Sequence, residues 1–87
     1  MPYNVLLESR AERDLKKLPR EIRARILPRI LDLKQNPRPV GIKKLSRQEE
    51  YYRLRVGDWR VVYEIDDRQK KVNIFRIRHR REAYQNL

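Results

Sequence analysis

Arg53, Arg55 and Arg60 fall at alternating positions on either side of Gly57-Asp58. A second basic group follows, Arg76-Ile77-Arg78-His79-Arg80-Arg81-Glu82-Ala83-Tyr84. Arginine presents a planar fork of donors that matches phosphate oxygens two at a time. It stays protonated at any working pH, so it stabilises an anion but does not act as a base. His79 is the sole histidine, and imidazole is the one side chain whose ordinary titration lies near neutrality. Tyr84 has a ring on which a nucleobase can stack.

Together these residue types suit RNA cleavage without a metal. The 2′-hydroxyl attacks the neighbouring phosphorus, and the protein must splay the nucleotide for in-line attack. It must also stabilise the extra negative charge of the phosphorane, accept one proton and donate another. The arginines serve the electrostatic part. His79, Glu82, Glu64, Tyr84 or a group outside this chain is left for proton transfer. Simpler roles fit the same residues: arginines on a solvated sheet face, a surface histidine, and a tyrosine that pins the tail.

The elements that position these residues are legible. Apolar and charged residues alternate on both sides of Gly57-Asp58, and a Gly-X dipeptide between two such runs marks a two-residue hairpin with a type II′ turn. That loop pairs Val56 with Trp59, Arg55 with Arg60, Leu54 with Val61 and Arg53 with Val62. Period-two alternation then puts Tyr52, Leu54, Val56, Trp59, Val61, Tyr63 and Ile65 on a core face. Arg53, Arg55, Arg60, Val62 and Glu64 occupy the other. Like charges directly opposite each other destabilise a sheet, so the Arg55/Arg60 pair is a local cost that binding a polyanion would explain.

Upstream, Tyr3 to Leu7 reads as a strand. Ser9 and Glu12 read as a capping box that opens a helix ending near Leu18. Pro19 suits the first turn of a second helix. Its apolar stripe is Ile22, Ile26, Ile30 and Leu33, widened by Leu27 and Leu31, with a kink expected at Pro28. Asn36-Pro37-Arg38-Pro39 ends it. Ile42 to Leu45 reads either as a short strand or as irregular chain, and 46–50 as a polar loop. Asp66 to Lys70 reads as a five-residue turn before a last strand, Lys71 to Arg78. That loop length sends Phe75 and Ile77 to the core and Arg76 and Arg78 to the basic face. A four-residue loop would reverse them and bury two arginines. The tail from Arg80 reads as a short helical turn.

The expected fold is α+β. Two N-terminal helices pack on one face of a small antiparallel meander sheet, in a single domain over 1–87. Across 87 residues there are 23 Lys and Arg against 12 Asp and Glu, a formal net charge of +11. Such an excess, spread along the chain, predicts a polyanionic partner, most simply nucleic acid. With one histidine and no cysteine, no zinc site or disulfide is expected, nor any organic cofactor. The absence of cysteine suits a reducing cytoplasm. Val5-Leu6-Leu7 is too short for a secretory signal, and no run is long enough to span a membrane.

The run from Tyr52 to Ile65, followed by Arg76 to Tyr84, resembles the RelE branch of the RelE/ParE toxin superfamily. Leu18-Pro19 and Asn36-Pro37-Arg38-Pro39 fit the same pattern. The resemblance covers nearly the whole chain. It implies a type II toxin that cleaves mRNA in the ribosomal A site without metal, and a cognate antitoxin that wraps it. It implies that Arg53, Arg55, Arg60 and the His79-Arg80-Arg81 group hold the mRNA phosphate, and that Tyr84 orients the nucleotide. Some relatives have lysines where this chain has Arg53 and Arg55, and one such lysine is thought to act as the base. Arg55 is therefore read as a transition-state stabiliser, and His79, then Glu82, as the base. Two other functions stay open: a ParE-like poison of DNA gyrase on the same fold, and an RNA- or ribosome-binding module without catalysis.

Overall fold

The computed structural model describes residues 2–45 and 51–83. The expected polar loop over 46–50, Tyr84 and the rest of the tail lie outside them. In chain order the elements are β1 (Asn4–Leu7), α1 (Ser9–Lys17), α2 (Arg20–Asp32), β2 (Lys43–Lys44), β3 (Tyr51–Val56), β4 (Trp59–Asp66), β5 (Lys71–His79) and α3 (Arg80–Ala83). The strands form one sheet in the order β1-β5-β4-β3-β2. β2 to β5 are antiparallel, as the meander predicts, while β1 joins β5 in parallel.

β1 and β2 are the two edges, and only α1, α2 and their connections lie between them in sequence. The helices must therefore cross the sheet, and they cover one face of it. Ala11, Leu18, Ile26, Ile30 and Leu33 from the helical half meet Tyr52, Leu54, Val56, Val61, Tyr63, Ile65, Val72, Ile74 and Ile77 in one core cluster. Trp59 packs at its margin. The apolar stripe expected for the second helix is the buried one, except that Leu31 stays 60% exposed.

One local detail differs from the sequence reading, and a second, the continuity of the second helix, agrees with it. Glu8, not Ser9, is the N-cap of α1, and no side chain caps the helix. The Glu12 N–H donates to the Glu8 carbonyl at 2.9 Å, the first rung of the helical ladder. α2 continues through Pro28 as one helix. Pro28 lacks an N–H, which removes one rung of the ladder without ending the element.

The β3–β4 register is the expected one, from Val56↔Trp59 to Arg53↔Val62. Gly57 has φ +61°, as the first central residue of a II′ turn requires. A side chain there would be strained, and its Cβ would sit 3.2 Å from the Arg25 guanidinium that lies over the turn.

β5 departs from the expectation in an informative way. Asp66 pairs with Lys71, so the loop has four residues, and Val72 and Ile74 face the core. That register would have buried Arg76 and Arg78. A bulge between Val62 and Tyr63 of the partner strand prevents it, because Val62 pairs with Arg76 while Tyr63 pairs with Ile74. Phe75 is the extra residue, and the alternation inverts past it. Ile77 then reaches the core as expected, but Phe75 does not; its ring sits 5.4 Å from that of Tyr51. Beyond the end of β1 the β5 edge is capped by a side chain of α1. Asp14 accepts the Ile77 N–H at 2.9 Å and the Arg76 Nε at 2.8 Å.

The connector after α2 is anchored rather than loose. The Tyr63 hydroxyl donates to the Pro37 carbonyl at 2.8 Å, and burial pushes the pKa of Tyr63 up. Arg38 Nη2 meets Asp67 at 2.8 Å, and Arg38 Nε donates to the Tyr52 hydroxyl at 3.2 Å. The Tyr3 hydroxyl donates to the other Asp67 oxygen. These bonds, Arg38 first and Tyr3 second, hold the Asp67 carboxyl at about 2, down from 3.8. A depressed carboxyl stabilises the fold above its ordinary pKa, and that stability is lost as pH falls through the folded value. Asp67 is half exposed, so the effect is discounted for solvent. Thermal melts between pH 5 and pH 2 are therefore expected to show a steeper fall in Tm for the wild type below about pH 4 than for Asp67→Asn. Parallel curves would remove the connector lock from the account.

Candidate active site

The face of the sheet away from the helices carries the arginines in rows set by strand register. One row is Arg55, Arg60 and Arg78; the next is Lys43, Arg53, Val62 and Arg76. Residues paired across strands share a face. The bulge is what brings Arg76 and Arg78 to this side. Lys43, Arg53, Arg55 and Arg60, with Gly41, line one cleft of about 150 Å³. Four cations thus converge on a small opening, which attracts an anion and presents it with several donors at once.

The four differ in burial. Arg60 is only 6% exposed, so this face is less open than the alternation suggests. Its Nη1 donates to the carbonyl oxygens of Gly57 and Trp59, both at 3.0 Å. The guanidinium therefore braces the turn it follows, and its remaining N–H groups are held in place. Burial of a charge requires such partners. Arg55 is exposed, with no ion pair among the described residues. Val62, between Arg53 and Arg76, is 4% exposed; long arginine stems cover apolar surface while their heads stay wet.

The neighbouring cations are committed elsewhere. Arg76 is held by Asp14, whose hydrogen bond raises the Arg76 pKa above its ordinary value. Arg78 pairs with Glu82 at 2.9 Å. Glu82, second choice as a base from sequence, is thus bound to a cation.

Register places His79 opposite Trp59, on the helix side of the sheet and not in the row of Arg60. Its ring meets the indole edge-on at 5.4 Å, and its Nδ1 accepts the Arg81 N–H at 3.4 Å. Arg80 and Arg81 are exposed on α3. The Arg80 N–H donates to the Asp58 carbonyl at 2.7 Å, which fastens the start of α3 to the hairpin turn.

A family profile described as the ParE toxin of the type II toxin–antitoxin system, parDE, matches residues 5–84. Toxin RelE of Mycobacterium tuberculosis is 37% identical over 84 residues, covering 95% of this chain and 87% of that protein. Toxin RelG of the same organism is 40% identical over 86 residues, covering 97% and 98%. The chain belongs to the RelE family of type II toxins. A crystal structure of the toxin–antitoxin complex RelBE2 from M. tuberculosis superposes with a TM-score of 0.80 at 37% identity, covering 91% of this chain and 99% of that one.

On this RelE-family fold, three of the seven residues singled out from sequence, Arg53, Arg55 and Arg60, meet at one cleft. Arg80 and Arg81 stand beside the hairpin turn, His79 lies on the opposite face, and Tyr84 falls outside the described residues. Sequence reasoning missed Lys43 at the cleft. The stretch from Ile42 to Leu45 reads either as a short strand or as irregular chain; it is the strand, in antiparallel register, that brings Lys43 to Arg53. Arg78 was placed on the basic face but not among the site residues; its position opposite Arg60 puts it in the same row.

Proposed function

We propose that this toxin is a ribosome-dependent endoribonuclease that cuts mRNA in the A site and so stops translation. The observation that carries the reading is the convergence of Lys43, Arg53, Arg55 and Arg60 on one cleft of a rigid sheet. Arginines held by backbone and strand pairing are preorganised donors for a phosphate whose charge grows in the transition state. Arg53 and Arg55 grip the non-bridging oxygens, and Arg60, braced on the turn, keeps its aim. Arg80 and Arg81 add positive charge for the bound strand from α3, and the role of Tyr84 is to orient the nucleotide. The 2′-hydroxyl supplies the nucleophile, so the reaction calls for no metal or organic cofactor. The partners are mRNA, the ribosome and a cognate antitoxin, the last supported by the RelB–RelE complex of the similar structure. Ribosomal work places the protein in the cytoplasm; no helix of the described residues is long and apolar enough to cross a membrane.

The match to the ParE profile favours one other reading, a gyrase poison on the same fold. Two assays with purified protein separate them. Cell-free translation is expected to arrest at toxin concentrations that leave gyrase supercoiling untouched. Inhibited supercoiling with normal translation would replace the nuclease reading by the ParE-like one.

A further inference from the structure

We propose that Lys43 is the proton donor to the leaving 5′-oxygen in RNA cleavage; this rests on the nuclease reading above. The cleft is lined by Gly41, Lys43, Arg53, Arg55 and Arg60. A guanidinium stays protonated throughout a catalytic cycle, and glycine has nothing to give. A lysine ammonium is charged at neutral pH and can still release a proton. Among the described residues that line the cleft, Lys43 is therefore the one able both to stabilise the phosphate and to exchange a proton with it. Three other candidates are placed elsewhere: His79 lies on the Trp59 side of the sheet, Glu82 is paired with Arg78, and Glu64 accepts the Asn73 side-chain amide at 3.2 Å; Tyr84 lies outside the described residues.

Register holds Lys43 in place. It is the cross-strand partner of Arg53, so both project to the same side from adjacent strands. Gly41, at φ +95°, turns the chain into this two-residue strand. Lys43 belongs to the edge strand and is exposed, so it approaches a bound phosphate from the rim. The arginines of β3 and β4 approach from the floor. A donor on one rim leaves the opposite side for the attacking 2′-oxygen, as an in-line displacement requires.

In the step, the 2′-oxygen forms a bond to phosphorus and its proton passes to water. The bond from phosphorus to the 5′-oxygen breaks with its electron pair on that oxygen, which takes a proton from Lys43 Nζ. The products are a 2′,3′-cyclic phosphate and a 5′-hydroxyl, and Lys43 recovers its proton from solvent.

The test compares wild type, Lys43→Arg and Lys43→Ala on ribosomes holding an mRNA cut at one known bond. A second mRNA carries sulfur in place of the bridging 5′-oxygen at that bond. A thiolate leaves without protonation, so this substrate has no need of the donor. Lys43→Arg keeps the charge, and its melting curve is expected to match the wild type. It is expected to cut the ordinary mRNA about 10²–10⁴-fold more slowly, the usual range for a positioned acid, and the sulfur mRNA at the wild-type rate. Lys43→Ala is expected to be slow on both, having lost a phosphate contact as well. Equal cleavage of ordinary mRNA by Lys43→Arg and wild type would overturn the donor role. So would a Lys43→Arg defect of the same size on both substrates, which marks a phosphate ligand only. Wild type that cuts neither mRNA would instead overturn the nuclease reading, and the donor role with it.

Discussion

Arg55→Ala is expected to lower the single-turnover rate of mRNA cleavage about 10²–10³-fold, the usual loss when one preorganised donor to a developing oxyanion is removed. Its melting temperature is expected to stay level or rise slightly. Arg55 is exposed, has no ion-pair partner among the described residues, and stands directly opposite Arg60. Removing one of two facing like charges relieves a repulsion. Arg55→Lys is expected to fall between, since an ammonium keeps the charge but not the planar pair of donors. Arg55 tests the site more cleanly than Arg60, whose side chain also holds the Gly57 and Trp59 carbonyls. An Arg55→Ala protein that cuts as fast as wild type would move the reaction away from this cleft.

Leu54→Ala is expected to do the opposite. Leu54 is adjacent in sequence but points into the core at 1% exposure. Truncating a buried leucine removes its transfer free energy and leaves a cavity, for a loss of about 2–5 kcal/mol. Small domains are stable by roughly 5–15 kcal/mol in total. In a domain of this size each kcal/mol corresponds to about 4–8 °C, so Tm is expected to fall by at least about 8 °C. Below its new Tm, the folded fraction is expected to cut normally. A damaged active site with an unchanged melt would mean that the two faces of β3 are inverted. The contrast between neighbours at 54 and 55 is a direct consequence of period-two alternation.

The hairpin was legible because two independent signals agreed. Gly57-Asp58 fixed the loop, and strict alternation on both sides fixed which residues face which layer. The helices were legible from their apolar stripes, although the start of α1 was not, since its N-cap is Glu8 and no side chain caps it. The last strand was half legible. Counting from a loop assumes one register along the whole strand, and the Phe75 bulge breaks that assumption. A clue was present: Val72 and Ile74 are two apart but Ile74 and Ile77 are three, the spacing one inserted residue produces. The distribution of the basic cluster follows from strand pairing, which sends Arg78 to the row of Arg60 and His79 to Trp59.

The burial of Arg60 was not legible either. Alternation gives a side chain its face, and its depth depends on where its donors find acceptors. Here the nearest acceptors are the carbonyls of its own turn. Lys43 was hidden for a different reason. A strand of two residues has too little pattern to reveal itself, and its place beside Arg53 comes from pairing alone.

The measurement that bears most directly on the central claim is 5′-end mapping of a defined mRNA incubated with purified toxin. It is run with naked RNA and with ribosomes whose A site is empty, each with and without chelator. The account predicts a single cut inside the A-site codon, seen only with ribosomes and unchanged by chelator, and lost in Arg55→Ala. No cut in any condition with folded protein, or a ribosomal cut that chelator abolishes, would contradict it.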